Sequence, residues 1–455
     1  MSVETHVHQR RPYRGSHIAT RLVGPMTIVA LVVALAVLWV AARPAGPAGT
    51  FIGQLLGAEA VLLLSLGLVL ISTLRWVEQY FDGVDKAAVW HRRVAIVGTA
   101  LIGVHIATAS NPNPTNLGPT FGTIGIVGLA ALTLWAIAPR WRSITPRPLR
   151  TAILRLMQTP AASAVGRWIG GYGLWRGFHR TTGLFLALGF AHGLMDATTF
   201  GSPLLRWSYV AIGGVGLAFY VYRELLARHV TPLHDYVVSS VEPIDASSVE
   251  IWLRPLGRRF AFRPGQFAFV NLEAKDGWHR HPFTIASGPA EDEVRITVRA
   301  VGDFTSSIGD LVEPGMPAVI SSPKGHFDYC RGTERQIWVA GGIGVAPMLS
   351  WLRSARPGQL PHRVDFFYTA RGPAPLADEV AHIAGHHDEL HLHLVDTTTD
   401  PRLTVPDLLG ASGGQPEEVS AFLCGPEAMV TALQRDLVRA GVKPANVHRE
   451  YYNLR

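Results

Sequence analysis

Four histidines in the N-terminal half of the chain have a spacing that suits a redox centre. His91 and His105 are 14 residues apart, and His179 and His192 are 13 residues apart. On a helix these spacings correspond to a rise of about 20 Å. Two helices that run in the same direction would place His91 level with His179, and His105 level with His192. One imidazole from each helix at two levels can hold two bis-histidine haems, which is the predicted role of these residues.

Two points leave this interpretation open. Scattered histidines that form hydrogen bonds between helices are the alternative. In addition, at about 100° per residue, 14 residues return a side chain to within about 40° of its starting direction, whereas 13 residues leave it about 140° away. We therefore expect either a distorted helix or different rotamers at His179 and His192.

The elements that must position these histidines are apolar. Each has about the 20 residues that a helix needs to cross a hydrocarbon core of about 30 Å. The runs cover residues 23–42, 51–74, 88–109, 120–139, 177–200 and 207–226. A cleaved signal peptide is the alternative for the first run, but that run is too long and five more follow. Residues 23–230 are therefore predicted to form a six-helix transmembrane bundle.

Basic residues predict the orientation of this bundle. Residues 1–230 contain 20 Lys and Arg against 7 Asp and Glu, whereas residues 231–455 contain 21 against 27. The arginines concentrate before the first run and in the second-to-third and fourth-to-fifth connections, which the positive-inside rule places in the cytoplasm. We expect a multi-pass plasma-membrane protein with a cytoplasmic N-terminus (1–22) and a cytoplasmic C-terminal half. The arginine-rich segment 140–176 either contacts anionic headgroups or docks the acidic half.

Composition excludes several classes of protein. A chain of 455 residues predicts at least two folded units. Apolar residues make up 48%, charged residues make up 16%, and the mean hydropathy is +0.20. These values argue against a disordered or nucleic-acid-binding protein despite a pI of about 9.6. The two cysteines, Cys330 and Cys424, exclude a disulfide scaffold and a four-cysteine iron–sulfur cluster.

The C-terminal half contains two patterns. Short β segments separated by turn signals predict a small β-barrel over residues 231–330. These segments are 236–241, 248–253, 266–272, 284–286, 294–299 and 318–321. Residues 331–455 alternate strands and helices, which predicts a parallel α/β layer. Within it, the loop GGIGVAP at 341–347 could bring backbone N–H groups to a pyrophosphate, and a tight strand-to-helix turn is the alternative.

Several motifs together resemble a ferredoxin–NADP reductase module. They are RPGQF at 263–267, HPFTIAS at 281–287, GDFT at 302–305, the glycine loop at 341–347 and FLCGPE at 422–427. The form HPFT is similar to that of NADPH oxidases and membrane ferric reductases, and the 14 and 13 histidine spacings resemble that family's transmembrane haem domain. The resemblance extends from about residue 20 to the C-terminus. It implies a six-helix bundle followed by a β-barrel FAD-binding domain and an α/β NAD(P)-binding domain.

The resemblance assigns roles to individual residues. It implies that His281, Pro282, Phe283 and Thr284 contact the flavin, with Thr284 at its reactive edge. It implies that the FAD phosphates are held by Arg299 and Thr305.

For the nicotinamide nucleotide, the implied binding residues come from the glycine loop and the strand end at 424. Gly342, Gly344 and Pro347 would hold the nucleotide, and Cys424, Gly425 and Pro426 would flank the nicotinamide. Tyr452 would cover the isoalloxazine until the nicotinamide displaces it, and ordinary packing is the alternative. Arg371 could pair with a 2′-phosphate and favour NADPH, although NADH remains possible.

The resemblance implies a flavocytochrome that passes electrons from cytoplasmic NAD(P)H through FAD and two b-type haems to an acceptor across the membrane. With both axial positions of each haem occupied, the acceptor would react at the haem edge. Oxygen is the expected acceptor. The alternatives are a ferric chelate, an extracytoplasmic redox protein or quinone, and a sensor or channel with a degenerate scaffold. We expect contact with the lipid bilayer, no nucleic-acid partner and no obligatory protein partner.

Two acidic residues lie near the predicted haem levels. Glu59 on the second run either faces the outer haem or is satisfied by a neighbouring helix. Asp196, one turn beyond His192, is expected at the outer membrane interface without a special role.

Overall fold

The computed structural model describes residues 17–72, 74–108, 117–137, 172–230 and 232–450. The chain divides into two compact units, one over Thr20–Val230 and one that contains Thr231–Arg455.

Long apolar helices build the first unit. They and the shorter helices that follow them are α1 (His17–Ala41), α2 (Ala48–Leu70), α3 (Arg75–Phe81), α4 (Val84–Thr108), α5 (Gly118–Ile137), α6 (Tyr172–His179), α7 (Thr182–Asp196), α8 (Pro203–Val221) and α9 (Ala227–Val230). A π-helical turn at Tyr222–Leu226 connects the last two. Within the described ranges, five helices are long and apolar enough to cross a membrane: Leu22–Ala41, Ala48–Leu70, Lys86–Thr108, Gly118–Ile137 and Pro203–Leu226.

The fifth predicted run, 177–200, is not one continuous helix. α6 ends at His179 and α7 begins at Thr182. Hydroxyl groups donate to the carbonyl oxygens around the break: Thr181 to Phe178 at 2.7 Å, Thr182 to His179 at 2.5 Å and Tyr220 to Arg180 at 2.8 Å. Hydroxyls that bond to nearby carbonyls compete with helical hydrogen bonds. The expectation of a single continuous span is therefore wrong here.

α2 lies at the centre of the helical unit. Its successive residues Leu62, Leu63 and Leu64 are buried in three different apolar clusters. The clusters contain side chains of α1, α4, α5, α7 and α8. A helix that is apolar on every side is typical of a core position rather than a surface position. α2 is therefore the helix against which the others pack.

The second unit begins with a curled antiparallel sheet. Its strands are β1 (Leu233–Asp245), β2 (Ser248–Pro255), β3 (Phe267–Ala274), β4 (Gly277–Thr284), β5 (Val294–Arg299) and β6 (Pro317–Ser321). The strand order is β4-β3-β6-β1-β2-β5. A bridge between Ile285 and Ile296 links the chain after β4 to β5, so the sheet curls toward closure. Its enclosed face holds one apolar cluster that includes Ile251, Leu272 and Ile320.

Strand β4 differs from expectation. The sequence predicts a strand at 284–286, whereas the structure has β4 from Gly277 to Thr284 and only the isolated bridge at Ile285. The residues of β4 alternate poorly between apolar and polar, and they include Pro282. Because β4 is an edge strand, a proline that donates no hydrogen bond is tolerated there. Short helices α10 (Asp303–Ser306) and α11 (Ile308–Leu311) follow β5.

A parallel sheet follows. Its strands are β7 (Arg335–Gly341), β8 (Arg363–Ala370), β9 (Leu390–Asp396), β10 (Val419–Cys424) and β11 (Val447–Arg449), in the order β11-β10-β7-β8-β9. Helices α12 (Ala346–Leu352), α13 (Ala377–Ala384), α14 (Val405–Ser412) and α15 (Glu427–Arg439) connect them. Apolar clusters cover both faces of this sheet, which is the burial expected for parallel strands. The sequence reading missed only the two edge strands, β9 and β11.

A buried ion network joins the two sheets of this unit. The Arg353 guanidinium, at the end of α12, lies 2.7 Å from Glu379 and 3.3 Å from Glu250 on β2. It also donates to Ala286 O at 2.9 Å, beside the HPFT segment. Burial raises the pKa of the Glu250 carboxyl, and the charge of Arg353 opposes that effect. Because a buried charge is costly without a partner, this network fixes α12 against the curled sheet.

Candidate redox sites

The four histidines form two pairs across helices. The rings of His91 on α4 and His179 on α6 have centroids 6.1 Å apart, and their planes are inclined at 86°. The rings of His105 on α4 and His192 on α7 are also 6.1 Å apart, inclined at 72°. The structure therefore brings together the same partners that the spacing predicts.

The separation between paired rings suits a metal held between them. An imidazole nitrogen binds a metal at about 2.0–2.1 Å, and that nitrogen lies about 1.1 Å from the ring centroid, so two axial imidazoles need centroids about 6.2 Å apart. Both observed separations are 6.1 Å. Within the described residues there is no cluster of three or more metal-ligating side chains.

Backbone carbonyls orient three of the rings. His91 Nδ1 lies 2.9 Å from Gly67 O, His105 Nδ1 lies 2.7 Å from Gly53 O, and His192 Nδ1 lies 3.0 Å from Gly118 O. When Nδ1 donates to a carbonyl, the other ring nitrogen, Nε2, is left as the electron-pair donor for a metal. In three of the four histidines the carbonyl at Nδ1 therefore favours the tautomer that ligation through Nε2 requires.

Glycines also allow the histidine rings to pack closely against neighbouring helices. A Cβ on Gly57 would lie 3.0 Å from the His105 ring, and a Cβ on Gly122 would lie 3.0 Å from the His192 ring. Sequence reasoning missed these glycines. The signal was available, because Gly53 and Gly57, and likewise Gly118 and Gly122, form a small-xxx-small pattern that is typical of close helix packing.

The break between α6 and α7 accounts for the 13-residue spacing. The rotation of about 100° per residue is not carried continuously from His179 to His192, since residues 180 and 181 lie outside both helices. His179 also differs in its surroundings. Its Nδ1 has no hydrogen-bond partner among the described residues, and its ring stacks on Trp175 at 4.8 Å.

The HPFT segment lies on an edge strand of the curled sheet, and the hydroxyl of Thr284 in it has no hydrogen-bond partner among the described residues. Thr284 ends β4 opposite Phe267, and its buried Oγ1 has no hydrogen-bond partner in the described part of the chain. A buried hydroxyl without a partner is costly, so a bound group that accepts its hydrogen bond would stabilise the site. Phe283 beside it is buried in the apolar cluster, and Pro282 lies on the same edge strand. This geometry fits a flavin at the end of β4.

Aromatic stacking connects HPFT to the GDFT segment. The His281 ring lies parallel to Phe304 at 5.0 Å, and His279 lies parallel to Phe304 at 4.0 Å. Thr305 Oγ1 accepts hydrogen bonds from the backbone N–H groups of Val301 (3.1 Å) and Gly302 (2.9 Å). Thr305 therefore shapes this loop in the structure; its predicted contact with phosphate stays a prediction.

The glycine loop packs against the end of β10. A Cβ on Gly344 would lie 2.6 Å from Cys424 O and 2.7 Å from Gly425 Cα, and Gly342 has a φ of +54°. A Cβ on Gly341 would come equally close to Pro426. Arg299 reaches this loop, because its Nη1 would lie 3.4 Å from a Cβ on Gly342. Of the predicted FAD-binding residues, Arg299 thus lies beside the predicted nucleotide loop.

The remaining predicted residues differ in their exposure. Pro347 is buried in the first turn of α12, and the Cys424 side chain is fully buried in the core cluster. Arg371 is exposed just beyond β8, next to Gly372, whose N–H donates to Asp396 at 2.8 Å. Tyr452 lies outside the described residues. The roles of all four stay predictions.

Comparison with known proteins supports the second unit's assignment. An FAD-binding domain family matches residues 236–331. Sulfhydrogenase 2 subunit gamma from Pyrococcus furiosus is 27% identical over 42% of this chain and 71% of that protein. The ferredoxin–NAD(P)+ reductase component of the naphthalene 1,2-dioxygenase system from Pseudomonas putida is 27% identical over 43% of this chain. This chain spans 62% of the latter protein's length.

Among solved structures, flavohemoglobin from Malassezia yamatoensis is similar with a TM-score of 0.49 and 16% identity, covering 88% of this chain and 99% of that one. The strand order and the sequence matches, without this structural likeness, show an FAD-binding module of ferredoxin–NADP reductase type. The module has a curled antiparallel sheet and a parallel α/β sheet. They support an NAD(P)H-dependent flavin oxidoreductase.

The close packing of the glycine loop predicts the effect of Gly344→Ala. The added Cβ would meet backbone atoms of Cys424 and Gly425 that cannot rotate away, so the loop must shift. We expect KM for NADPH to rise about tenfold or more, equivalent to about 1.4 kcal/mol, with unchanged FAD content. Steady-state reduction of ferricyanide by the purified full chain measures this.

Gly410→Ala on α14 is the matched control, because a Cβ there meets open space. An unchanged KM in Gly344→Ala, with FAD retained, would show that this loop does not bind the nucleotide.

Proposed function

We propose that the chain is a transmembrane flavocytochrome b oxidoreductase. In this proposal, electrons from NAD(P)H reach two bis-histidine haems through FAD and then an acceptor on the opposite side of the membrane. One observation carries the proposal: in two pairs of histidines on neighbouring helices, the ring centroids are 6.1 Å apart. These helices are apolar, and the same chain contains an FAD-binding module.

The membrane placement is supported by composition and helix length. Five described helices are long and apolar enough to cross a bilayer. The broken pair α6 and α7 supplies the remaining crossing in this proposal. Basic residues outnumber acidic ones 20 to 7 in residues 1–230, which favours a cytoplasmic N-terminus and a cytoplasmic flavin module in the plasma membrane.

The residues of the flavin module have defined tasks in this proposal. His281, Pro282, Phe283 and Thr284 would hold FAD, with the unpartnered Thr284 hydroxyl as a hydrogen-bond donor to it. Bound FAD would supply the conversion between two-electron and one-electron transfer. The backbone of Gly342 and Gly344 allows close approach of the dinucleotide, and Arg299 beside this loop contributes positive charge for phosphate groups.

The histidines have the corresponding task in the helical unit. His91 with His179 and His105 with His192 would hold two b-type haems, which would supply one-electron transfer. With two imidazoles as ligands, each haem would have no coordination position for a substrate. An acceptor would then be reduced without binding iron, which suits oxygen as the preferred acceptor and a ferric chelate as the alternative. An extracytoplasmic redox protein or quinone fits the same chemistry.

One exposed arginine bears on the choice between NADPH and NADH. Arg371 is exposed beyond β8, where it can meet a 2′-phosphate, so we propose NADPH with NADH as the alternative. Tyr452 is proposed to cover the flavin ring, and Cys424 to flank the nicotinamide through its backbone.

Substituting single histidines tests the pairing. Because each haem needs both imidazoles of its pair, His105→Leu and His192→Leu should lose the same haem. His91→Leu and His179→Leu should lose the other. The haem content of the purified protein should fall by about half in each variant. Pyridine haemochrome assays and reduced-minus-oxidised spectra measure this.

His386→Leu, at an exposed position in the second unit, is the matched control and should keep both haems. Survival of both haem signals in His192→Leu would mean that the pairing is wrong.

The acceptor is tested by stopped-flow mixing. The protein is reduced with NADPH without oxygen and then mixed with either oxygen or a ferric chelate while haem absorbance is followed. We expect fast reoxidation by oxygen and slow reoxidation by the chelate. Fast reoxidation by the chelate alone would replace the oxidase proposal with ferric-chelate reduction.

A further inference from the structure

The outer histidine pair has a charged neighbour. Asp196 is the last residue of α7, one turn beyond His192, and its Oδ2 lies 3.0 Å from His192 Nδ1. The Asp196 side chain is 7% exposed. The hydrogen bond of His192 Nδ1 goes to Gly118 O, so the Asp196 carboxylate acts on this ring through its charge at 3.0 Å. A buried carboxylate is costly, so its placement against this ring points to a role there.

The surrounding backbone leaves room for this carboxylate. His192 Nδ1 also lies 3.0 Å from Gly118 O at the start of α5. A Cβ on Gly118 would overlap the Asp196 carboxylate. Only glycine at position 118 therefore allows both the carbonyl and the carboxylate to approach the same ring nitrogen.

The other histidines have different partners. His91 and His105 each have a backbone carbonyl at Nδ1, from Gly67 and Gly53 respectively. His179 stacks on Trp175, and its Nδ1 has no hydrogen-bond partner among the described residues. Among the close contacts between basic and acidic side chains in the described residues, the one between His192 and Asp196 is the one that involves any of these four histidines.

We propose that Asp196 is a positioning residue that orients His192 and lowers the reduction potential of the outer haem. This inference rests on the proposed function. A carboxylate at the distal nitrogen of a ligating histidine fixes the ring and makes its other nitrogen a stronger donor. Stronger donation stabilises the ferric form over the ferrous form. A lower potential at the outer haem favours release of its electron to the acceptor.

A redox titration of Asp196→Asn tests this inference. The substitution keeps the shape and removes the charge. It is made in the His91→Leu background, in which the outer pair remains intact and its potential is read alone. We expect Asp196→Asn to shift the reduction equilibrium of this haem about tenfold toward the ferrous form, a rise of about 59 mV for one electron.

Two variants serve as controls. Glu224→Gln removes a carboxylate that pairs with Arg180, remote from the outer pair, and should leave the potential unchanged. Asp196→Glu restores the charge and should restore a low potential. If Asp196→Asn loses the outer haem, recovery of haem and of a low potential in Asp196→Glu supports the inference, and failure to recover overturns it.

The outcomes separate this inference from the function on which it rests. An unchanged potential in Asp196→Asn, with haem bound, overturns the role of Asp196 and leaves the flavocytochrome proposal intact. Absence of haem from the unsubstituted protein overturns the proposed function itself.

Discussion

The helical unit depends on one interaction: imidazole rings packed against glycine backbone. Gly53, Gly67 and Gly118 each present a carbonyl to a histidine Nδ1, and no Cβ blocks the approach. In apolar surroundings an unpaired imidazole N–H is costly. The carbonyl removes that cost and leaves Nε2 available as an electron-pair donor. The ring centroids are 6.1 Å apart in both pairs, and the proposed haem chemistry depends on that separation.

Sequence reasoning reached the pairing of the histidines but not the local structure that permits it. Residue spacing reports the rise along a helix, so His91 and His105 were readily placed at two levels. It does not report a break, and the continuous span expected over 177–200 is interrupted at residues 180–181. The break depends on Thr181, Thr182 and the distant Tyr220, whose hydroxyl reaches Arg180 O only in the folded bundle. The sequence likewise predicts Asp196 as an interface residue without a special role, because its distance of 3.0 Å from His192 is set by the tertiary structure.

The flavin module shows the same division. Central strands such as β7 and β8 have continuous apolar runs that predict them well, whereas the edge strands β4, β9 and β11 lack such a signal. The motif identifies the HPFT segment, but the strand that carries it is not predicted, because Pro282 and the basic residues Arg280 and His281 are atypical of a strand. The contacts of Gly344 with Cys424, and of Arg353 with Glu250, join segments far apart in the chain. Such contacts follow from the two sheets together and not from local pattern.

Anaerobic reduction by NADPH tests the electron path through the two histidine pairs. Purified protein that contains FAD and haem is mixed with NADPH, and the absorbance of flavin and haem is followed together. We expect flavin reduction to be followed by complete reduction of both haems without any added mediator. Reduced flavin beside haem that stays oxidised would contradict an electron path through the two histidine pairs.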